Sequence, residues 1–407
     1  MRRVLLPAGM LLFACARPEL SPVATAVTEP EIRVGLVLHV PSAVVGGGGD
    51  LLLEDSTGGD LAIVASTSTA VVSHDPLGLR VRQGETVIAV VPTVTIVSRD
   101  SGTPVRLNGR DYRGRLVLTA GPSGLIVANA LGLETYLAGV VAAEMGRRDG
   151  RDFEALKAQA VVSRTVASRA LGRWRLRGYD LVSTVADQVY AGVGFEYPLA
   201  SQAVEATRGE VLYWDGRLID AFFHSTCGGR TADGSEIFVN ATAPYLRSVR
   251  DEDGTGRAWC SISPRWRWRE EWSGDALVRM LRETLPGSRG SASLADELLD
   301  LRVVEHTATG RVARLAAIGA TSRHEVTLHD VRRLLRPADT PQLRSATFSL
   351  QATREGGRVI RLLVEGAGAG HGVGMCQWGA MGRSRAGFSY RDILSAYFPG
   401  TQVGHTY

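Results

Sequence analysis

Short stretches of alternating apolar and polar residues dominate the chain between residues 31 and 130. They include IRVGLVLHV, LAIVA, TVIAVV and RLVLTA, and clusters of Gly, Asp and Pro separate them. Alternation with a period of two places every second side chain on one face of a strand, and valine is common in strands. The pattern therefore predicts a β-rich N-terminal part over residues 31–130.

The apolar spacing changes to three and four residues after position 130. Both LETYLAGVVAAEM and DFEALKAQAVVSRTVASRALGRWR have this spacing, which predicts two helices. The segment GRRDGRD between them supplies the glycine and aspartates expected where one helix ends and the next begins. Strand-like segments follow in LVSTVADQVYAG, GEVLYWDGRLIDAFFHST and PYLRSVRDED.

Residues 264–366 have a different pattern, with amphipathic helices near Leu277 to Leu285 and Leu328 to Leu335 and strands between them. We interpret them as an inserted α/β subdomain. Residues 367–407 begin with the glycine-rich GAGAGHGVGMCQWGA and then turn helical. The predicted class is α+β: a β-rich N-terminal part, a helical catalytic core of residues 131–263 completed by residues 367–407, and the inserted subdomain.

Residues 1–30 have the features of a signal peptide with a lipobox, followed by a linker. Two arginines precede a short apolar stretch that ends in Leu12-Phe13-Ala14-Cys15. This stretch is too short to span a bilayer, and a cysteine in this position is the one that lipoproteins acylate. We expect an exported, membrane-anchored lipoprotein of the cell envelope that faces the periplasm or cell wall; simple secretion is the alternative.

The charge of the chain argues against a nucleic-acid partner. There are 46 basic and 42 acidic residues, a net charge of +4, and no basic run of five or six. Scattered charges support at most a mild affinity for anionic polymers. Lys157 is the only lysine, which suggests that a compact ammonium is needed there, although an ordinary surface lysine would fit the sequence equally well.

Glu144 is the candidate general acid. In LETYLAGVVAAEM it follows Tyr136 and Val140 at steps of four, so its carboxyl group lies on the apolar stripe of the helix. Desolvation raises the pKa of such a carboxyl group, which lets it hold a proton near neutral pH. The alternative is a structural glutamate paired with Arg147 or Arg148.

The segment FFHSTCGGRT brings together a histidine and a cysteine, and three interpretations of it are open. His224 and Cys227 have a spacing that zinc accepts, with Cys260, His371 or Cys376 as further ligands. Cys227 or Cys376 with a histidine would form a nucleophilic pair. We favour a disulfide between Cys227 and Cys260, because export places them in an oxidising compartment.

Five blocks in order resemble the stage II sporulation protein D (SpoIID/LytB) family. They are LETYLAGVVAAEM, EALKAQAVVSRTVA, FFHSTCGGRT, PYLRSVRDED and GAGAGHGVGMCQWGAMGRSRAGFSYRDILSAYFPGTQV, and the resemblance covers most of residues 32–403. It is weakest between residues 264 and 367. Cys376 stands where the family more often has serine.

The resemblance implies a lytic transglycosylase that cleaves peptidoglycan glycan strands stripped of stem peptides, with Glu144 as the catalytic glutamate. It also implies that several residues line or shape the glycan groove: Gln159, Arg164, His224, Ser225, His371, Gln377 and Trp378. We add Lys157 and Tyr190 as substrate-binding candidates. The implied partners are glycan strands and other wall hydrolases such as an amidase, with membrane contact only through a lipid anchor.

The same resemblance leaves two alternatives open. Some members of the family enhance other wall hydrolases without cutting glycan, and some bind zinc close to the FFHSTCGG block. We expect no cofactor, and His224 and Cys227 are the weaker alternative as metal ligands.

Overall fold

The computed structural model describes residues 28–285 and 297–407. It confirms the α+β class, with 39% of residues in strands and 25% in helices. The predicted signal peptide and the lipidation site at Cys15 lie outside the described residues. Within the described ranges, no helix is long and apolar enough to cross a membrane.

Strands and helices are numbered here in chain order over the described residues. The strands are β1 Glu31–Val40, β2 Ser42–Gly47, β3 Leu51–Glu54, β4 Asp60–Val64, β5 Ala70–Asp75, β6 Gly78–Gln83, β7 Thr86–Val91, β8 Thr93–Ser98, β9 Val105–Leu107, β10 Arg110–Tyr112, β11 Arg115–Gly121, β12 Gly124–Gly132, β13 Leu181–Val182, β14 Glu210–Trp214, β15 Arg217–Leu218, β16 Phe223–His224, β17 Arg267–Ser273, β18 Leu298–His306, β19 Val312–Gly319, β20 Arg323–Thr327, β21 Phe348–Glu355, β22 Arg358–Ala367, β23 Met375–Cys376 and β24 Gln402–His405. The helices are α1 Leu133–Met145, α2 Phe153–Ala170, α3 Pro198–Glu205, α4 Gly234–Ile237, α5 Gly274–Thr284, α6 Leu328–Leu334, α7 Gln377–Arg385 and α8 Tyr390–Tyr397.

The N-terminal part consists of strands, as its alternating pattern predicts. One sheet has the order β13-β1-β12-β11-β8-β3-β4 and a second has the order β10-β9-β2-β5-β6-β7. All of these pairings except β1 with β13 are antiparallel, and five of the eleven join strands that follow each other in the chain through a short turn. β12 is buried along nearly its whole length and leads directly into α1, so this sheet fixes where α1 begins.

The two predicted helices form α1 and α2, and they pack against each other in the main hydrophobic cluster. α1 ends at Met145 and is followed by Gly146, whose φ of 67° suits a residue without a side chain. Asp149 then accepts a hydrogen bond from the Arg151 main-chain N–H and starts the short turn before α2.

Three features after α2 differ from the prediction. Only Leu181–Val182 of the strand-like LVSTVADQVYAG forms a strand. The helix α3 was not predicted, although Pro198 at its first position is a typical helix start. PYLRSVRDED was predicted as a strand, but it forms a 3-10 turn over Pro244–Leu246 followed by a loop. The proline withholds a main-chain N–H, and loop bonds to neighbouring segments replace a ladder.

The C-terminal segment returns to the core through two strand pairings. β24 pairs antiparallel with β14, and β16 pairs parallel with β23, with His224 opposite Cys376. The parallel pairing is what joins the FFHSTC block to the GMCQW block, 152 positions further on in the chain.

Residues between β17 and β22 form a subdomain with its own hydrophobic cluster, which includes Leu277, Leu281, Leu334 and Leu362. The predicted amphipathic helices are present as α5 and α6. β17 pairs with β22, with Trp268 opposite Gly366, so the chain leaves the core and returns to it at adjacent points. A Cβ atom on Gly366 would lie 2.1 Å from the Trp268 ring, so only glycine fits there.

Candidate functional site

A cleft of about 1590 Å³ opens beside the C-terminal end of α1 and the paired strands β16 and β23. The subdomain contributes part of its wall. The residues that line the cleft include Glu144, Arg148, Arg169, Arg173, Asp187, Asp220, His224, Ser225, Arg265, Leu328, Arg332, Arg333, His371, Gln377 and Trp378. Five of the nine substrate-binding candidates are therefore at this cleft: His224, Ser225, His371, Gln377 and Trp378.

Glu144 lies in the last turn of α1, on the stripe that begins with the fully buried Tyr136 and Val140. Its Oε1 accepts a hydrogen bond of 2.8 Å from the Val189 main-chain N–H. Burial raises the pKa of the Glu144 carboxyl group above its usual value, and the bonds from Val189 and Gln377 oppose that shift. The structure therefore bears out the desolvation predicted from the apolar stripe.

The segment around Val189 is held in place by its neighbour Gln188, which is fully buried. Gln188 accepts a hydrogen bond of 3.1 Å from the Tyr136 hydroxyl and donates one of 3.3 Å to the Ser163 carbonyl. Because Gln188 connects this segment to both α1 and α2, the Val189 N–H stays directed at the Glu144 carboxylate. Sequence reasoning missed this contact, since a main-chain donor leaves no signal in residue type.

Gln377 connects the C-terminal block to α1 and α2. Its Nε2 lies 3.5 Å from the Glu144 carbonyl oxygen and 3.4 Å from Gln159 Oε1. Gln159 in turn donates a 3.0 Å hydrogen bond to the Ser163 hydroxyl. Gln159 is fully buried and does not line the cleft, so it positions Gln377.

Two histidines lie together at the cleft, with ring centroids 5.6 Å apart. His224 Nδ1 lies 3.1 Å from the Val373 carbonyl, which can only accept, so this nitrogen carries the hydrogen. His224 Nε2 is then an acceptor, and it is buried without a partner among the described residues. Burial lowers the pKa of His224 well below its usual value and that of His371 to about 4, so both rings are neutral at pH 7.

Trp378 provides an aromatic surface beside these groups. Its main-chain N–H donates to the Ser225 carbonyl at 3.0 Å, which fixes the start of α7 against the FFHSTC block. The Arg148 guanidinium lies 4.9 Å from the Trp378 ring centroid and also donates to the Met145 carbonyl. Both side chains line the cleft, and Arg148 was not a predicted groove residue.

Four predicted substrate-binding residues do not line the cleft. Gln159 is one of them. Arg164 is fully buried and forms an ion pair with Glu134, with the closest atoms 2.6 Å apart. Tyr190 is buried and donates to Asn129 Oδ1. Lys157 pairs with Glu154 at 2.5 Å. The groove assignment of these residues is corrected: each satisfies its polar group inside the protein.

The predicted disulfide between Cys227 and Cys260 is wrong. Both are free thiols whose Sγ atoms lie 3.5 Å apart, well beyond the bonded distance of about 2.05 Å. Cys376 and Asp251 also contact this pair, and their ligand atoms and those of the two thiols all lie within 4.8 Å of one another. The thiol of Cys227 therefore has several polar neighbours in place of one bonded partner.

Of the possible zinc ligands, Cys227, Cys260 and Cys376 lie together, but neither histidine joins them. His224 is not part of the cluster of possible ligands around Cys227, so the pair His224 and Cys227 does not form a metal site. The interpretation as a nucleophilic pair is not supported. Neither Cys227 nor Cys376 lines the cleft, and burial raises the pKa of both thiols well above its usual value. Neither thiol is therefore available as a nucleophile in the cleft.

The subdomain contributes Leu328, Arg332 and Arg333 to the cleft wall, which the sequence did not predict. Arg332 donates to the main-chain carbonyls of Leu343 and Arg344, whereas the side chain of Arg333 is 72% exposed. The sequence did predict that α6 is amphipathic and has an exposed face. Periodicity alone does not predict which part of the protein lies beside that face.

Two family profiles match this chain. The stage II sporulation protein (SpoIID) profile matches residues 122–214, which include α1 and α2. A domain of unknown function, DUF8618, matches residues 259–374 and spans the subdomain.

Whole-chain relatives agree with the first of these matches. An uncharacterised protein of Brachyspira hyodysenteriae is 29% identical over 83% of each chain. The amidase enhancer of Bacillus subtilis is 28% identical over 62% of this chain but only 38% of its own length. Stage II sporulation protein D of Bacillus subtilis is 30% identical over 67% of this chain and 74% of its own length. This chain therefore belongs to the SpoIID family, as its five sequence blocks predicted.

Proposed function

We propose that this protein is a peptidoglycan lytic transglycosylase that uses Glu144 as its only acid and base. Membership of the SpoIID family supports a cell-wall-related function. The proposed reaction cleaves the bond between MurNAc and GlcNAc in glycan strands and leaves a 1,6-anhydro-MurNAc end.

The proposal depends on which carboxyl groups in the cleft are paired with an arginine and which are not. Three line it: Glu144, Asp187 and Asp220. Asp187 pairs with Arg173 at 2.5 Å and Asp220 pairs with Arg169 at 2.7 Å. Glu144 has no cationic partner among the described residues, and burial raises the pKa of its carboxyl group. Only Glu144 is therefore suited to hold and return a proton.

A single carboxyl group is enough for a reaction without water, whereas a hydrolase normally needs two. Glu144 donates its proton to the glycosidic oxygen as the bond from that oxygen to MurNAc C1 breaks. The resulting carboxylate then takes the proton of the MurNAc C6 hydroxyl while O6 bonds to C1. The proton returns to Glu144, so the enzyme ends the cycle unchanged.

The other groups of the cleft suit a glycan. Trp378 offers a flat ring for a sugar face, and His224 Nε2 is an acceptor without a partner among the described residues. Six arginines line the cleft against three acids: Arg148, Arg169, Arg173, Arg265, Arg332 and Arg333. This excess of positive charge favours the lactyl carboxylates that MurNAc exposes once the stem peptides are removed.

The test is mass spectrometry of the products formed from peptide-free glycan strands by the native protein and by Glu144→Gln. We expect anhydro-ended fragments from the native protein and a loss of at least about 100-fold in rate for the variant, which keeps the size of the side chain but cannot titrate. Glycan binding should be retained. Anhydro products formed equally well by Glu144→Gln would contradict the single-carboxyl mechanism.

A second candidate function is that of a glycan-binding enhancer of another wall hydrolase. The similarity to a protein named amidase enhancer favours it. Such a protein would bind glycan through the same cleft and release no fragments. Tight binding by both the native protein and Glu144→Gln, with no products and a faster amidase in the same mixture, would support this function over catalysis.

We also propose that the chain is exported and lipid-anchored at Cys15, from the LFAC segment alone. Labelling of cells with a radioactive fatty acid should mark the native protein and leave Cys15→Ala unlabelled. Label that persists in Cys15→Ala would contradict anchoring at this residue.

A further inference from the structure

Three thiols and one carboxyl group meet inside the protein, outside the cleft. They belong to Cys227, Asp251, Cys260 and Cys376, and their ligand atoms all lie within 4.8 Å of one another. Cys227 is 4% exposed and the other three are fully buried. They come from four separate segments: the turn after β16, a loop, a 3-10 turn and the end of β23. Nothing in the proposed reaction uses them.

The spacing of these atoms suits one tetrahedral metal ion. A Zn²⁺ ion binds sulfur at about 2.3 Å, which places tetrahedral ligands roughly 3.8 Å apart. Cys227 Sγ lies 3.5 Å from Cys260 Sγ and 3.2 Å from Asp251 Oδ2. The largest distance between two ligand atoms, up to 4.8 Å, would need to shorten by about 1 Å to complete the tetrahedron.

Main-chain N–H groups are directed at the sulfur atoms. Cys376 Sγ accepts from the Cys227 N–H at 3.2 Å and from the Gly379 N–H at 3.3 Å. Cys227 Sγ accepts from the Gly229 N–H at 3.3 Å. Such donors stabilise negatively charged sulfur, as they do around metal-bound thiolates.

Glycines make the close approach to the cluster sterically possible. A Cβ atom on Gly379 would lie 2.1 Å from Asp251 Oδ2, so any other residue there would displace the carboxyl group. Gly228 and Gly229 have φ angles of 81° and 107°, which other residues rarely adopt.

A positive group lies beside the negative charge that such a site would carry. Three thiolates and one carboxylate around Zn²⁺ leave a net charge of −2. The Arg383 guanidinium lies 3.3 Å from Asp251 Oδ1, which also accepts from the Tyr397 hydroxyl at 2.7 Å. Arg383 therefore offsets part of the negative charge of an occupied site.

We propose that Cys227, Asp251, Cys260 and Cys376 bind one Zn²⁺ ion in a closed structural site. Four protein ligands leave no position for a substrate, so the ion stabilises the fold and takes no part in chemistry. Cys227 follows Ser225 by two residues and Cys376 immediately precedes Gln377. The ion therefore connects the FFHSTC block to the GMCQW block, and both blocks line the cleft. A disulfide between Cys227 and Cys260 would leave Asp251 and Cys376 buried without a metal ion to bind.

The first experiment measures metal and thiols in the full-length protein, produced with zinc in the medium and purified without chelators. We expect one zinc ion per chain by inductively coupled plasma mass spectrometry. Cys227, Cys260 and Cys376 should not react with a thiol reagent until a chelator and a denaturant are added. Chelator alone should lower the melting temperature. A disulfide joining Cys227 to Cys260 in peptide maps, or metal-free protein that takes up no zinc, would overturn the proposal.

Matched variants separate metal binding from folding. Asp251→Asn removes a ligand charge, whereas Asp253→Asn changes a turn residue two positions away that bonds Thr255. We expect zinc affinity to fall by at least about tenfold in Asp251→Asn and to stay unchanged in Asp253→Asn. In protein that keeps its circular dichroism spectrum, Co²⁺ in place of zinc should give the visible bands of a tetrahedral thiolate site. Equal zinc affinity in both variants would exclude Asp251 as a ligand and overturn the proposed site.

Discussion

Glu144 differs in two ways from an ordinary surface glutamate. It lies on the buried stripe of α1, and the donors to its carboxyl group are uncharged: the Val189 main-chain N–H and the Gln377 amide. A main-chain dipole stabilises the carboxylate less than an arginine would, so burial remains the larger effect and the pKa of this group is raised.

The raised pKa predicts how Glu144→Gln changes stability with pH. At a pH below the ordinary pKa of 4.5, Glu144 is protonated in both the folded and the unfolded protein. The native sequence and the variant should therefore have similar free energies of unfolding there. As the pH rises from 4.5 through the raised pKa, ionisation favours the unfolded native chain, and the variant becomes the more stable protein.

Urea unfolding between pH 4 and pH 8 tests this prediction. The free energy of unfolding of the variant minus that of the native protein should increase with pH and then level off. A difference that stays constant over this range would mean that Glu144 is not desolvated in the folded protein. The same pKa shift predicts that the rate of glycan cleavage falls at high pH, where Glu144 has lost its proton.

At the scale of elements, a buried ion pair joins α1 to α2 and to the segments beyond them. Arg164 donates to both carboxylate oxygens of Glu134, the shorter bond being 2.6 Å, and to the main-chain carbonyls of Val204 and Glu210. The arginine of the EALKAQAVVSRTVA block is therefore explained by assembly of the helices that carry Glu144.

We predict that Arg164→Met destabilises the protein by about 3 to 5 kcal/mol, because it leaves Glu134 buried without its cation. Replacing both members of the pair by leucine should restore part of that loss. Arg82→Met is the matched control, since Arg82 pairs with the 99% exposed Glu85, and it should cost less than about 1 kcal/mol. Urea unfolding curves give all three values; equal effects at both sites would contradict the assignment.

At the scale of the whole molecule, the cleft is shared between the SpoIID core and the inserted subdomain. The subdomain is rooted by the pairing of β17 with β22 and brings α6 to the cleft wall. This arrangement gives a physical role to a segment with little resemblance to the family blocks: it contributes the positive charges of Arg332 and Arg333 to the cleft wall.

We predict that Arg333→Ala weakens binding of peptide-free glycan by about threefold, the size of one exposed ionic contact. The loss should shrink at high salt, because screening already weakens that contact in the native protein. Arg279→Ala is the matched control, because Arg279 is an exposed residue of the same subdomain that does not line the cleft. Calorimetric titration at two salt concentrations measures the effect, and equal losses for the two variants would exclude a subdomain contact.

Local sequence patterns were enough to predict the strand-rich N-terminal part, α1, α2 and the position of Glu144 on a buried stripe. These features depend on neighbours within a few residues, which periodicity records directly. The family blocks also grouped His224, Gln377 and Trp378, and all three line one cleft.

Which polar residues contact each other depends on how the whole chain folds. Arg164 belongs to the helix core and not to the groove because Glu134, 30 positions earlier, lies against it. Cys227 meets Asp251, Cys260 and Cys376, and the Val189 N–H meets Glu144, through contacts between distant segments. No local pattern encodes such contacts, because each partner's residue type is compatible with many environments until the chain folds.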